Sequence, residues 1–313
     1  NNTRPSETLA QAIDQMTREG SSEVLDIQSE IGKKYEARMA RNSESLEVGK
    51  KILILDCSGP SKTAELMVLA DERLDGSNCE VVNVVDGADE LPSSFENIAA
   101  IMISGSPSNI EDKEKPGYEW ISNVETFVNE ALKLGVPTLG ICFGIQMFAD
   151  IKGREVPKNG NGREYGVWKT AMYIDENDEM SEIFNGIDFQ KDEEGHSSAV
   201  IETVGGHSFH AGYGTEQREN LYAFRYSGDE AYPMIEIEDS FVGLQFHPEL
   251  STPEGLQLLR AIIRKRADLF LQEGKEPEKV IEELDDYMER ADNEKTPDGL
   301  KIYRNFVNIA LEK

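Results

Sequence analysis

The sequence has little cysteine, histidine or tryptophan: three, four and two of them in 313 residues. Three thiols, Cys57, Cys79 and Cys142, are too few and too far apart for a disulfide framework, so a reducing compartment, the cytoplasm, is expected. No apolar run approaches the length needed to cross a bilayer. No basic segment followed by an apolar stretch opens the chain, so a soluble protein without a membrane partner is expected. Cations are scarce as well, with 32 Lys and Arg against 60 Asp and Glu and a net charge of -28. Nucleic acid requires a positive surface and is excluded as a direct partner. Lysine is not depleted relative to arginine, and the acidity reads as solubility rather than as adaptation to salt.

The length suffices for one large α/β domain with attachments or for two modest ones. Residues 6 to 42 carry apolar residues at helical spacing: Leu9, Ile13 and Met16, then Val24, Ile27, Ile31, Tyr35 and Met39, with Gly20-Ser21-Ser22 between the two stripes. The period then changes. KILILD (51 to 56), CEVVNVV (79 to 85), AAIMIS (99 to 104) and PTLGI (137 to 141) are short apolar runs typical of buried parallel strands. Helical stretches lie between them, around 62 to 74 and from Tyr118 to Leu134, the latter closed by Gly135 and Pro137. Strands alternating with helices predict a mostly parallel open sheet flanked by helices, with chemistry at the carboxyl ends of the strands.

From about 165 to 247 the texture is more strand-like, in VWKTAMYI, LYAFRY, PMIEIE and FVGLQF. Helix returns beyond: Leu256, Leu259, Ile263 and Phe270 form one stripe, Pro277 opens another helix, and Thr296-Pro297 caps a last one bearing Leu300, Tyr303 and Val307. This divides the chain into a helical extension (1–49), an α/β domain (50–255) and a second helical extension (256–313).

The segment GICFGIQ (140 to 146) sets one cysteine between two glycines where a strand meets a helix. At such an elbow the central residue is strained and its neighbours two positions away crowd the turn, which glycine relieves. Cys142 would then project its sulfur at a helix N-terminus, where negative charge is favoured and the thiolate becomes easier to populate. A thiol nucleophile needs a base, and the base needs an orienting group. LQFHPEL (244 to 250) offers His247 and Glu249, two residues apart; in an extended segment both side chains point the same way. The amide of Phe143 beside the nucleophile, and that of Ser106 in SGSPS (104 to 108), could form an oxyanion hole, each worth about 2.7–4 kcal/mol by analogy with side-chain donors. Each fragment alone has a plainer reading: a structural cysteine beside a phosphate-binding loop, a surface histidine, a Gly/Ser/Pro turn. The spacing of His207 and His210 lacks further ligands, so no metal is expected, and no cofactor either. His196 reads as a surface loop residue.

In this order, ISGSPS, GVPTLGICFGIQ, GREYG (162 to 166) and GLQFHPE resemble the class I, triad-type glutamine amidotransferases, most closely their GMP-synthase-like branch. The resemblance covers about residues 50 to 255 and implies a flavodoxin-like fold and a glutaminase. Cys142, His247 and Glu249 take the triad positions, with a thioester intermediate on Cys142. Ser106 and Phe143 take the oxyanion positions; Gly105, Gln146 and His210 take substrate positions, with His207 second to His210. Gly105-Ser106-Pro107 stands where the family has Gly-Gly-Pro. Glutamine is the implied substrate and a synthetase that accepts ammonia the implied partner, since nothing in the sequence resembles an ATP-pyrophosphatase domain. A γ-glutamyl hydrolase using the same triad, and a non-catalytic regulatory module, are the competing readings. The apolar stripes of the two extensions require cover, from the chain's own core or from a partner.

Overall fold

The computed structural model describes residues 22–41, 49–87, 90–158, 164–174, 181–191, 197–207, 211, 221–227, 230–272, 274–293 and 296–312. The helix expected around Leu9 to Met16, and both His196 and His210, lie outside the described residues. The strands are β1 (Lys51–Asp56), β2 (Cys79–Asn83), β3 (Ile98–Ile103), β4 (Thr138–Ile141), β5 (Glu164–Ile174), β6 (Gln190–Lys191), β7 (Ser197–His207), β8 (Leu221–Ser227), β9 (Glu230–Glu238) and β10 (Phe241–Leu244). The helices are α1 (Ser22–Met39), α2 (Thr63–Leu69), α3 (Glu119–Lys133), α4 (Phe143–Ile151), α5 (Pro253–Lys265), α6 (Ala267–Gln272), α7 (Pro277–Asn293) and α8 (Asp298–Leu311).

All these strands join one sheet in the order β2-β1-β3-β4-β10-β9-β8-β5-β7-β6. From β2 to β10 every pairing is parallel, and from β10 onward every pairing is antiparallel. The parallel half is covered on both faces, which is why β3 is buried along its whole length and reads as an unbroken apolar run. The antiparallel half carries the strand-like texture of residues 165 to 247. β10 closes the two halves together. It pairs in parallel with β4, Leu244 opposite Ile141, although about a hundred residues separate them in sequence.

Local chemistry explains the helices that face the sheet. α3 turns Trp120, Ile121, Val124, Phe127, Val128 and Ala131 toward Leu53, Leu55, Ile101 and Ile103, and each large side chain so buried contributes about 1.5–3 kcal/mol. Gly135 at φ 71° ends it in the left-handed conformation, with its N–H on the Leu132 carbonyl. The flanking helices share the same core. Tyr303, Phe306 and Val307 of α8 pack with residues of β1, β4 and β10, and the Tyr303 hydroxyl donates to the Met67 carbonyl. Val24 and Ile31 of α1 pack with Leu66, Leu256, Leu259 and Leu284, so among the described residues the stripes of the extensions are covered by the chain itself.

Three expectations change. α2 stops at Leu69, short of the predicted Leu74, because the following segment folds around side-chain bonds: Asp71 accepts from Arg73, and Asp75 accepts from Ser77. The last helix has Pro297 of the expected Thr296-Pro297 pair at its N-cap, with no side-chain cap bond, and Thr296 stands one residue before it. β7 was not foreseen as a strand and pairs with β5 along its full length.

Candidate active site

The parallel strands deliver their carboxyl ends to one edge of the sheet: Asp56 at the end of β1 with Cys57 after it, Ser104 to Ser106 after β3, Cys142 after β4, and Gln245 to His247 after β10. Cys142 caps α4 with φ 51° and ψ -94°, outside the helical and extended regions that L-residues favour. Of the two glycines two places from it, Gly140 is sterically required and Gly144 sits in a tight contact. A Cβ on Gly140 would lie 2.6 Å from the Gly144 carbonyl carbon and 2.8 Å from the Phe241 ring, and one on Gly144 would lie 3.1 Å from Ile103 Cβ. The other two cysteines are unsuited to nucleophilic work. Burial pushes Cys57 well above the usual thiol range and pushes Cys79, mainly by the same effect, up to about 12.

The backbone N–H of Cys142 donates to the Leu244 carbonyl at 2.7 Å, which locks the elbow to the end of β10. Three residues on, His247 is held by its own N–H to the Val204 carbonyl at 2.8 Å, and its Nδ1 lies 2.6 Å from Glu249 Oε1. Glu249 is wholly buried and His247 is nearly so. The pair is not made by an extended segment, as the sequence reading supposed. Pro248 opens a 3-10 turn, Pro248–Ser251, that curls the Glu249 carboxylate back beneath the ring. Burial pulls the imidazole toward its neutral form; the charge of Glu249, then the charge and hydrogen bonding of Cys142, outweigh it and raise the pKa to about 10. The site therefore favours an imidazolium beside the Glu249 carboxylate. His247 Nε2 has no hydrogen bond that meets normal geometry. Nucleophile–base contacts are often this loose before a substrate is held.

The loop after β3 closes over the imidazole. A Cβ on Gly105 would meet His247 Cε1 at 2.7 Å, so the glycine expected to line the substrate is needed for the histidine. Ser104 Oγ accepts from the Cys57 amide at 2.9 Å and donates to the Gly105 carbonyl at 2.9 Å. In a trans peptide the carbonyl and the next N–H point in opposite directions, so this bond fixes where the Ser106 N–H is aimed. Ser106 itself is buried, and its hydroxyl accepts from the Ser108 amide. Phe143 begins α4, and the first amides of a helix have no acceptor within it. The Gln146 amide completes the first turn on the Cys142 carbonyl at 3.2 Å, and its side chain is buried.

The geometry thus gathers Cys142, His247, Glu249, Gly105, Ser106, Phe143 and Gln146 at one edge. His207 ends β7 in the core, its ring edge-on between Trp168 and Tyr232 at 5.1 and 5.6 Å. The sequence reading missed two residues: Ser104, and Gln245, whose Nε2 lies 3.6 Å from the Cys142 sulfur. Both sit inside motifs already marked, one place before Gly105 and two before His247, and that adjacency was their only signal. Among the described residues no group of His, Cys, Asp and Glu is arranged to hold a metal ion.

The profile of the family Glutamine amidotransferase class-I matches residues 64–265. The GMP synthase (glutamine-hydrolyzing) of Nitrobacter hamburgensis is 30% identical over 175 residues, covering 54% of this chain and 27% of that protein. Its counterpart in Corynebacterium jeikeium is 30% identical over 192 residues, 61% of this chain and 31% of that protein, so the chain spans less than a third of either relative. Among solved structures, a glutamine amidotransferase from Thermotoga maritima superposes with a TM-score of 0.58 at 19% identity, over 84% of this chain and 99% of that one. Another from Methylobacillus flagellatus gives 0.56 at 16% identity, over 84% and 96%. These two likenesses speak for the fold. The family match spans well over half of the sequence, and on it the chain belongs to the class-I glutamine amidotransferases.

Proposed function

We propose that the chain hydrolyses the side-chain amide of glutamine to glutamate and ammonia through a Cys142–His247–Glu249 triad, carried by the 50–255 unit. The supporting observation is the 2.7 Å bond from the Cys142 amide to the Leu244 carbonyl, which ties a strained thiol elbow to the strand that carries a buried His–Glu pair.

The steps follow from what each group can do. The Cys142 thiolate attacks the amide carbon, a C–S bond forms, and the carbonyl electrons move to oxygen. The N–H groups of Ser106 and Phe143 receive that oxyanion, at about 2.7–4 kcal/mol each by analogy with side-chain donors. His247, charged at neutral pH, gives its Nε2 proton to the departing nitrogen as the C–N bond breaks, and ammonia leaves. The neutral imidazole then takes a proton from water, which attacks the thioester carbon. Collapse breaks the C–S bond, releases glutamate and restores the thiolate. Glu249 keeps the imidazole in the tautomer that presents Nε2 to the sulfur. Gln146 helps to seat the glutamine.

The matched relatives are named as glutamine-hydrolysing GMP synthases, and the chain covers less than a third of each. We extend from this that the ammonia is delivered to a synthetase active site outside these residues. The test is glutamate release by the purified chain and by Cys142→Ala, alone and with a cell extract that supplies a partner. Release that disappears in the variant, whose melting temperature is unchanged, supports the reading. Equal release by both removes Cys142 from the chemistry, and turnover of γ-glutamyl amines in preference to glutamine turns the assignment to a γ-glutamyl hydrolase.

A further inference from the structure

The geometry points to Gln245 as a further catalytic residue, one that donates an N–H to the reacting sulfur; this rests on the reading of Cys142 as the nucleophile. Gln245 follows β10 directly, and its backbone N–H is held on the Met234 carbonyl at 3.0 Å, so its side chain has little freedom of direction. That side chain is fully buried. Its two ends meet different partners. Oε1 accepts from the Ala211 amide at 3.4 Å, and Nε2 lies 3.6 Å from Cys142 Sγ.

The orientation of the amide is fixed by the Ala211 end. A backbone N–H only donates, so the oxygen must face it, and the NH2 group is left facing the sulfur. Ala211 is itself buried, packed with Ile145, Phe148 and Ala149 of α4 and with Phe241, so the anchor is tied to the nucleophile's own helix. The sulfur therefore has Gln245 as a neutral donor in addition to the His247 imidazole. A hydrogen bond to a charged acceptor is about twice as strong as one to a neutral acceptor, so this contact favours the thiolate over the thiol and over the thioester. It acts twice in each turnover. Before attack it holds the charge on the sulfur. When the second tetrahedral intermediate collapses, the C–S bond breaks, its electron pair returns to sulfur, and the Nε2 hydrogen is already in place to receive it.

Two variants separate donation to sulfur from mere filling of a buried amide site. Gln245→Glu keeps an oxygen for the Ala211 amide and replaces the donor at sulfur by an acceptor. Gln245→Met removes both bonds. Alkylation of Cys142 by iodoacetamide is followed by peptide mass spectrometry on the full chain, from pH 6 to pH 10. Both variants are expected to react about tenfold more slowly than wild type at pH 6.5, with rates converging at pH 10. Hydrolysis should show a loss in kcat that exceeds any change in KM. Unchanged alkylation at pH 6.5 in both variants overturns the inference; so does slowing in Gln245→Met alone, which would assign the effect to the Ala211 anchor. Should the methionine variant not fold, the glutamate variant decides by itself. If wild-type chain fails to hydrolyse glutamine while the alkylation rates separate as described, the glutaminase reading falls and the donor role of Gln245 stands.

Discussion

Adding one methyl group at Gly105 should impair the site more than its size implies. The new Cβ would lie 2.7 Å from His247 Cε1, against about 3.5–4.0 Å for carbon atoms at rest, so something must move by about 1 Å. The imidazole has nowhere to go. Its Nδ1 is bound to Glu249 at 2.6 Å, that carboxylate is fully buried, and the backbone is bound to Val204 at 2.8 Å. The loop is held on its other side by Ser104, which links Cys57 to the Gly105 carbonyl. Movement of the ring spoils the nucleophile–base contact, and movement of the loop carries the Ser106 amide away from the oxyanion. A displacement of this size costs about 100-fold in rate, and the overpacking about 1–3 kcal/mol in stability. Glutamate release by Gly105→Ala, measured with its denaturant midpoint, reads both quantities. A variant with wild-type kcat would refute the claim that the loop and the ring are mutually fixed.

Other consequences can be measured as directly. In Glu249→Gln the ring stays buried but loses its first charged partner, so the His247 proton resonance should titrate far below the wild-type midpoint of about 10; an unchanged midpoint would remove Glu249 as the cause. Because the pKa is raised from 6.5 to about 10 on folding, the pair's contribution to stability is complete below 6.5 and is lost as pH rises through about 10. The stability gap between wild type and Glu249→Gln should accordingly narrow from pH 6.5 to pH 10, and a widening gap would contradict the sign. Away from the site, Arg154 Nη2 lies 2.8 Å from the fully buried Glu236, whose carboxyl is raised by burial against the pull of Arg154. Arg154→Met should destabilise by about 3–5 kcal/mol while the carboxyl is charged and by progressively less as the pH is lowered and it takes up a proton; a loss that does not change with pH would show that the charge is not what costs.

The parallel half of the sheet was legible because strands covered on both faces are compact apolar runs, as in KILILD and the run ending at Ile103. The elbow was legible for a similarly local reason, since the turn crowds the positions two places either side of Cys142, most severely at Gly140. What escaped depends on contacts far along the chain. β7 contains Gly205, where a Cβ would sit 2.3 Å from the Trp168 ring. Two glycines near the end of a strand look like a turn until the tryptophan that lies across them, on the paired strand, is known. Gly105 was read as a substrate position, yet its constraint comes from His247, and nothing in SGSPS announces a ring from residue 247. Gln245 passed as a neighbour of the motif because its partners, Ala211 and Cys142, are remote in sequence. The His–Glu pair was found through the wrong local geometry: the 3-10 turn brings the two side chains together where an extended segment was assumed.

The central claim is that the Cys142 sulfur carries the acyl group during turnover. Rapid mixing of the chain with isotopically labelled glutamine, acid quenching within a turnover and peptide mass spectrometry test it most directly. One labelled glutamyl group on the peptide bearing Cys142, absent in Cys142→Ala, is the predicted result. Steady release of glutamate by the wild-type chain with the label on another residue, or with an equal adduct in the alanine variant, would contradict it.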